Sequence, residues 1–307
     1  MHPHTLLMLN SELKMANGWL TGTTSVWAEK EEWLTGSLPD LPPETLDSII
    51  DFLYDEPETL RQCCLVSKSW VPRTRKHLFA VIELSTRGYI EAWKKTFQNP
   101  YNSPAYHTRI LTIGCSRAIA TADGTQCGWI PTFSRLVRLE VANLLSPTCH
   151  FGLRVDLAPF HKVPSTLKSL AVTSFPFPLS QFFDLIGSLP LLEDLTLIGS
   201  QADLDDSGPD GPHTVVPSST SPTFTGILEL RMYGGVASTA HRLLNLPNGL
   251  HFRKFKFLCD EWGDLRYVAQ LVTGCSGTLE CLDITCPWEG VVHFGQVGHL
   301  LNVLFCR

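Results

Sequence analysis

The 307-residue sequence lacks the features that direct a chain into or across a membrane. No apolar run approaches the roughly 20 residues that a membrane-spanning helix needs. The run Leu6–Leu9 near the start is shorter than the apolar part of a secretory signal, which takes at least about 7 residues. An Asn-x-Ser/Thr acceptor for glycosylation is missing as well. We therefore expect a protein of the cytoplasm, the nucleus or both, with no membrane partner.

A strong charge of one sign and a framework of regularly spaced cysteines are also lacking. The chain has 24 Lys and Arg against 30 Asp and Glu, and this net charge of −6 argues against nucleic acid as a partner. Basic residues around Arg73 could suit a DNA-binding helix, but a basic helix face left in solvent is the simpler interpretation. The ten cysteines are scattered between Cys63 and Cys306, as expected for reduced, buried thiols.

The sequence lacks the common motifs of catalytic and metal-binding sites. The sequence has no Gly-x-Ser-x-Gly, no Gly-x-x-x-x-Gly-Lys-Ser/Thr and no His-Glu-x-x-His. Four possible zinc ligands occur close together at Cys281, Cys286, His293 and His299. The gap between the two pairs is shorter than the roughly 12 residues that are usual in a zinc finger. We therefore expect no enzymatic activity, no metal site and no cofactor.

Three short helices are predicted in succession between residues 43 and 78. Apolar residues spaced three and four apart mark one face of each helix. The second helix has a start signal at 55–58, where acids and a proline come together, and Ser67 or Ser69 could cap the third. The residues that carry these spacings are Leu46, Ile49, Ile50 and Leu53, then Leu60, Cys63, Cys64 and Ser67, and then a stretch from about Trp70 to Leu78. A unit this small usually packs on something else.

From residue 79 onward, the pattern apolar-x-x-apolar-x-apolar returns along the chain. Each copy predicts a short strand, and amphipathic stretches at Leu179–Leu189 and Leu265–Val272 predict helices between strands. The steps between copies range from 25 residues (Leu170 to Leu195) to 35 (Leu195 to Leu230). The middle apolar residues are Ile82, Leu111, Leu139, Leu170, Leu195, Leu230, Phe255 and Leu282. Such an array resembles leucine-rich repeats, whose units are about 20–29 residues long.

Residues 41–79 carry a second, more specific resemblance. The motifs follow in order as Leu41-Pro42-Pro43-Glu44, Ile49-Ile50-Asp51-Phe52-Leu53, Cys64-Leu65-Val66-Ser67-Lys68-Ser69-Trp70 and Leu78-Phe79. This stretch resembles the F-box, and its style is similar to that of fungal members. The resemblance implies a non-catalytic subunit that docks on an Skp-family adaptor and, through it, joins the cullin and RING subunits of a ubiquitin ligase. The residues that it assigns to adaptor docking are Leu41, Pro42, Ile49, Leu53, Leu60, Leu65, Val66, Lys68 and Trp70.

The expected fold is α/β. A three-helix F-box at 38–84 follows a loosely ordered segment at 1–37, and a leucine-rich-repeat-like domain occupies 85–307. This domain is expected to be an irregular solenoid with parallel strands on its concave side, helices and loops outside, and a flexible insertion at 201–226. No cap is evident after the last repeat, so either the chain is truncated or its last residues form a cap.

The concave side of the predicted solenoid is the candidate surface for an unknown target protein. Residues that alternate with buried strand residues point to this side. They are Arg138, Glu140, Ser169, Ala171, Asp194, Thr196, Glu229, Arg231, Lys254, Lys256, Cys281 and Asp283. Their signs are mixed, which indicates neither an acidic nor a basic ligand.

One feature of leucine-rich repeats is missing, because Asn or Cys does not recur after the strands. Those positions hold Leu144, Phe175, Ser200, Gly235, Asp260 and Pro287. The alternative function is a leucine-rich-repeat scaffold that binds proteins without a ubiquitin ligase.

Overall fold

The computed structural model describes residues 41–97, 103–114, 133–142, 165–173, 179–199, 222, 224–258, 261–286 and 301–306. The predicted lead-in at 1–37 and most of the predicted insertion at 201–226 lie outside these ranges. The chain divides into two compact units, Met1–Arg109 and Ile110–Arg307. Among the described helices, none is both long and apolar enough to cross a bilayer.

The described part of the first unit starts with three consecutive short helices. They are α1 (Pro43–Phe52), α2 (Pro57–Val66) and α3 (Val71–Leu78), and β1 (Val81–Leu84), α4 (Arg87–Thr96) and a 3₁₀ turn (Pro104–His107) follow them. Helices occur in all three predicted stretches of residues 43–78. The helix α4 was not predicted from the sequence.

Proline determines where each of the first three helices starts. Pro43, Pro57 and Pro72 each occupy the first turn, where a missing N–H leaves no intrahelical acceptor unsatisfied. The predicted serine cap of α3 is wrong, because Trp70 is the N-cap residue and its side chain makes no capping bond. The hydroxyl of Ser67 lies 2.8 Å from that of Ser69 instead, so these serines bond to each other.

A small core holds the three helices together, with both α1 and α2 packed against α3. Ile50 from α1, Leu60 and Cys63 from α2, and Thr74 from α3 are buried. The Thr74 hydroxyl donates to the carbonyl oxygen of Trp70, so its polar group is satisfied within the helix.

The second unit contains a sheet whose strands follow one another in the order of the sequence. The strands are β2 (Ile110–Gly114), β3 (Arg138–Ala142), β4 (Ser169–Thr173), β5 (Asp194–Gly199), β6 (Ile227–Met232), β7 (Lys254–Leu258), β8 (Cys281–Cys286) and β9 (Leu301–Cys306). Every strand from β2 to β7 pairs in parallel with the next, and β9 pairs antiparallel with β8. This confirms the prediction of an α/β fold with parallel strands.

Helices connect several of the parallel strands, as a parallel crossover requires. They are α5 (Leu179–Gly187), α6 (Val236–Leu244) and α7 (Leu265–Gly274), with a 3₁₀ turn (Trp262–Asp264) before α7. The helices α5 and α7 confirm the two amphipathic stretches predicted from the sequence, whereas α6 was not predicted. The residue before α6 is Gly235, whose left-handed φ of 69° favours glycine.

Two rows of buried side chains run through the strands at matching positions. The first row consists of Leu111, Leu139, Leu170, Leu195, Leu228, Phe255 and Leu282, and the second of Ile113, Val141, Val172, Leu197, Leu230, Phe257 and Ile284. From β2 to β7, every member of both rows is buried, so these rows form the core of the sheet.

The register corrects one repeat position. Leu228, not Leu230, pairs with Leu195 on one side and with Phe255 on the other. Both leucines of β6 are apolar and lie two residues apart, so the pattern alone could not distinguish them. Counted from Leu195 through Leu228 to Phe255, the steps become 33 and 27 residues rather than 35 and 25.

Candidate protein-binding surfaces

Large apolar side chains are exposed on the first two helices and immediately beside them. Among the described residues, six of the eleven exposed large apolar side chains fall between residues 41 and 66. We call these six the helical apolar set. Its members are Leu41, Ile49, Phe52, Tyr54, Leu65 and Val66. Exposed large apolar side chains in such number are typical of a surface that binds a partner.

The structure distributes the nine predicted docking residues over three environments. The exposed ones are Leu41, Pro42, Ile49, Leu65, Val66 and Lys68. Leu53 and Trp70 are half-buried. Leu60 is 1% exposed and packs inside the helical unit, so it can support a docking surface but cannot touch a partner directly.

Sequence reasoning missed the two most exposed members of the helical apolar set. Phe52 is 84% exposed and Tyr54 is 68% exposed, more than any predicted apolar docking residue. Phe52 lies three positions after Ile49, and residues spaced i,i+3 share one side of a helix. This spacing was the available signal, but the face of α1 that contains Ile50 carries the stronger apolar pattern.

A polar cluster fixes α1 relative to α3. Arg73 Nε donates to Asp51 Oδ1 at 2.5 Å, and Arg73 Nη2 contacts Asp51 Oδ2. His77 Nε2 lies 2.7 Å from Asp51 Oδ1. The hydrogen bond from Arg73, opposed by partial burial and reinforced by His77, lowers the pKa of Asp51 from 3.8 to about 2. We call these three residues the Asp51 cluster, and it holds the helix that carries Ile49 and Phe52.

No sequence signal pointed to the Asp51 cluster. Its members are separated by 22 and 26 residues, and they meet only because α3 packs beside α1. The resemblance to the F-box included Asp51 in a motif but gave it no role.

On the sheet, the predicted target-binding residues lie on the face opposite the two buried rows. Burial alternates along β3, β6 and β7, and the predicted residues of these strands occupy the half-buried or exposed positions. The parallel register places Glu140 beside Ala171 and Ala171 beside Thr196, and Glu229 lies beside Thr196 on the other side. The strands therefore bring these side chains together as rows. We call this surface the outer sheet face.

Both predicted arginines on this face are paired within their own strands. Arg138 Nε lies 2.8 Å from Glu140 Oε1, and Arg231 Nε lies 2.6 Å from Glu229 Oε1. Glu140 also accepts a hydrogen bond of 3.1 Å from the Thr112 hydroxyl. These four charges largely offset one another, so they contribute little net charge to the face.

Asp194 has a structural partner rather than a free carboxylate. Its Oδ1 accepts a hydrogen bond of 2.8 Å from the backbone N–H of Ile227, the first residue of β6. At the equivalent position of the next strand, a backbone carbonyl performs this task, because Lys254 N–H donates to Gly226 oxygen at 3.2 Å. A Cβ at Gly226 would clash with Asp194 Oδ1, so the close approach at this bond favours glycine.

The two lysines of β7 differ from the arginines. Lys254 and Lys256 are exposed, and neither has a carboxylate of the described residues within the 4.0 Å of an ion pair. Asp283 is half-buried on β8, beside Lys256 in the register. The outer sheet face therefore combines neutralised pairs on β3 and β6 with uncompensated positive charge on β7.

Of the four possible zinc ligands, the structure describes Cys281 and Cys286. His293 and His299 lie outside the described residues. Across the ranges that the structure describes, no group of three or more His, Cys, Asp or Glu side chains could hold a metal ion.

Comparison with known proteins adds no family assignment. No protein-family model matches the chain, and no curated protein matches it.

Proposed function

We propose that this protein is the non-catalytic, target-recognising subunit of an SCF-type ubiquitin ligase. In this proposal, α1–α3 form an F-box that docks on an Skp-family adaptor, and the adaptor connects the chain to cullin and RING subunits. The observation that carries it is the helical apolar set, which lies within the stretch that resembles the F-box. The outer sheet face binds the target protein.

The energetics of the helical apolar set favour a partner. Burying a Val, Leu or Ile side chain fully is worth about 1.5–3 kcal/mol, and this free energy is unused while the side chain faces water. Ile49 and Leu65 are 47% and 42% exposed, so each retains a substantial part of it. A partner that covers several such residues gains the apolar contact that usually dominates protein binding.

We further propose that the sheet is a leucine-rich-repeat-like solenoid. Three features support this assignment: the strands are parallel, they follow the order of the sequence, and equivalent apolar residues stack in two rows. Stacked repeats bury a continuous core because each unit covers the face of its neighbour. The outer sheet face then corresponds to the concave side.

The protein acts by proximity in this proposal. It holds a target lysine near the ubiquitin-charged conjugating enzyme and supplies no reacting group itself. Tethering turns a bimolecular encounter into a nearly intramolecular one, which raises the effective concentration of the lysine. The cytoplasm and nucleus are the compartments in which we propose that it works.

A pull-down with matched variants tests the adaptor docking. The full chain is co-expressed with a tagged Skp-family adaptor, as wild type, as Ile49→Ala/Leu65→Ala, and as the control Val137→Ala/Leu191→Ala. The control removes apolar side chains of similar exposure (37% and 51%) from the sheet unit. We expect the docking variant to retain at least about tenfold less adaptor, since losing about 1.4 kcal/mol weakens binding tenfold.

Two outcomes would contradict the proposal. If wild type retains no adaptor, the chain acts as a protein-binding scaffold without a ligase. If both double variants lose adaptor equally, the helical apolar set is not the docking surface.

A further inference from the structure

Charge on the outer sheet face is unevenly compensated, and the imbalance is concentrated on one strand. The positive groups of β3 and β6 each have a glutamate of the same strand within 2.8 Å. The two lysines of β7 have no such partner among the residues that the structure describes. A charged ligand that reaches this face therefore meets free positive charge at β7 and neutralised pairs elsewhere.

The neighbours of Lys254 strengthen this difference. In the register, Lys254 lies between Ile227 of β6 and Cys281 of β8, and both are uncharged. No anionic side chain of an adjacent strand is therefore placed beside it.

Lys256 lies between Glu229 and Asp283. Glu229 is held by Arg231 at 2.6 Å, which leaves Asp283 as the one negative neighbour that no described cation holds. The local balance on β7 and its two neighbours remains positive.

We propose that the segment recognised by the outer sheet face is acidic, a stretch of target polypeptide rich in Asp and Glu that binds at Lys254 and Lys256. This inference deepens the proposed function and rests on its assignment of this face to target binding. Carboxylates complement the two free ammonium groups, and long lysine stems let these groups reach acids at varied spacing. A basic segment would instead meet repulsion at β7, which disfavours it as the target.

Peptide selection tests the charge preference without any ligase component. The full-length chain is immobilised and used to select from a display library of random short peptides, and the enrichment of Asp and Glu is counted. Wild type is compared with Lys254→Ala/Lys256→Ala and with the control Lys94→Ala/Lys95→Ala, which removes the same charge from α4. We expect enrichment of acids about fivefold higher for wild type and control than for the β7 variant, as expected for two exposed ion pairs.

Two further variants sharpen the result. Lys254→Glu/Lys256→Glu should reverse the preference and enrich Lys and Arg. Asp283→Asn should raise the enrichment of acids, because it removes the negative neighbour of Lys256. The lysine variants should melt at the wild-type temperature because the substituted lysines are exposed. An unchanged melting temperature shows that the sheet is intact.

Three results would overturn the inference: equal enrichment in wild type and the β7 variant, enrichment of basic peptides by wild type, or capture of a single-stranded oligonucleotide in place of peptides. Failure here is distinguishable from failure of the proposed function. The selection contains no adaptor, so loss of docking at α1–α3 leaves its readout unchanged.

Discussion

The helices α1–α3 and the sheet β2–β8 bury their apolar residues to very different extents. In the sheet, two rows of side chains pass from strand to strand, and each strand covers part of its neighbour's row. The segment 41–66 buries Ile50, Leu60 and Cys63 but leaves six large apolar side chains exposed, four of them on α1 and α2. The sheet therefore covers the apolar side chains of both rows from β2 to β7, whereas the segment 41–66 leaves six large apolar side chains exposed.

The largest difference in the free energy of unfolding should appear when one phenylalanine of each region is replaced by alanine. Phe255 is 1% exposed in a buried row of the sheet, and Phe52 is 84% exposed on α1. We expect Phe255→Ala to lower the free energy of unfolding by about 3–5 kcal/mol through lost burial and a cavity. Phe52→Ala should change it by less than about 0.5 kcal/mol, as exposed substitutions usually do.

Urea unfolding followed by circular dichroism measures both changes. A cost for Phe52→Ala that approached the cost for Phe255→Ala would break the comparison. It would mean that the protein itself covers the helical apolar set in solution.

A smaller effect is expected at the Asp51 cluster, which holds α1 to α3 by polar contacts. Asp51→Asn should cost about 1 kcal/mol near neutral pH, a value suited to a partly exposed ion pair with several hydrogen bonds. Because the pKa of Asp51 in the folded protein lies near 2, below its ordinary 3.8, the carboxylate stabilises the fold above about pH 4. This contribution is lost as the pH falls from about 4 towards 2.

Unfolding of wild type and Asp51→Asn is compared at several pH values, with Asp55→Asn as the control. Asp55 is exposed and makes no ion pair within the described part of the chain. The difference between wild type and Asp51→Asn should shrink as the pH is lowered through this range. A difference that is constant with pH would show that the carboxylate is not the stabilising group.

The same contrast explains which parts of the structure could be predicted from sequence. Helix starts were found because Pro43 and Pro57 act locally, and the buried strand positions were found because apolar residues alternate. The range of β6 was predicted correctly, but its repeat position was assigned two residues late because Leu228 and Leu230 fit the alternation equally well. Local patterns therefore located most elements but not their exact register.

Features of the candidate surfaces that depend on tertiary contacts were not predictable. Asp51 meets Arg73 across 22 residues, and Asp194 accepts from Ile227 across 33. The pairing of Arg231 with Glu229, which distinguishes these charges from the free lysines of β7, is a matter of side-chain conformation. The mixed charge of the face was visible in the sequence, but its uneven compensation was not.

Hydroxyl-radical footprinting of the chain, alone and with a purified Skp-family adaptor, tests most directly whether a partner covers the helices. The readouts are oxidation of Phe52 and Leu65, with Tyr233 and Leu191 of the sheet unit as exposed references (53% and 51%). We predict that the adaptor protects Phe52 and Leu65 several-fold and leaves both references unchanged. If the adaptor leaves the oxidation of each of the four residues unchanged, the account is contradicted.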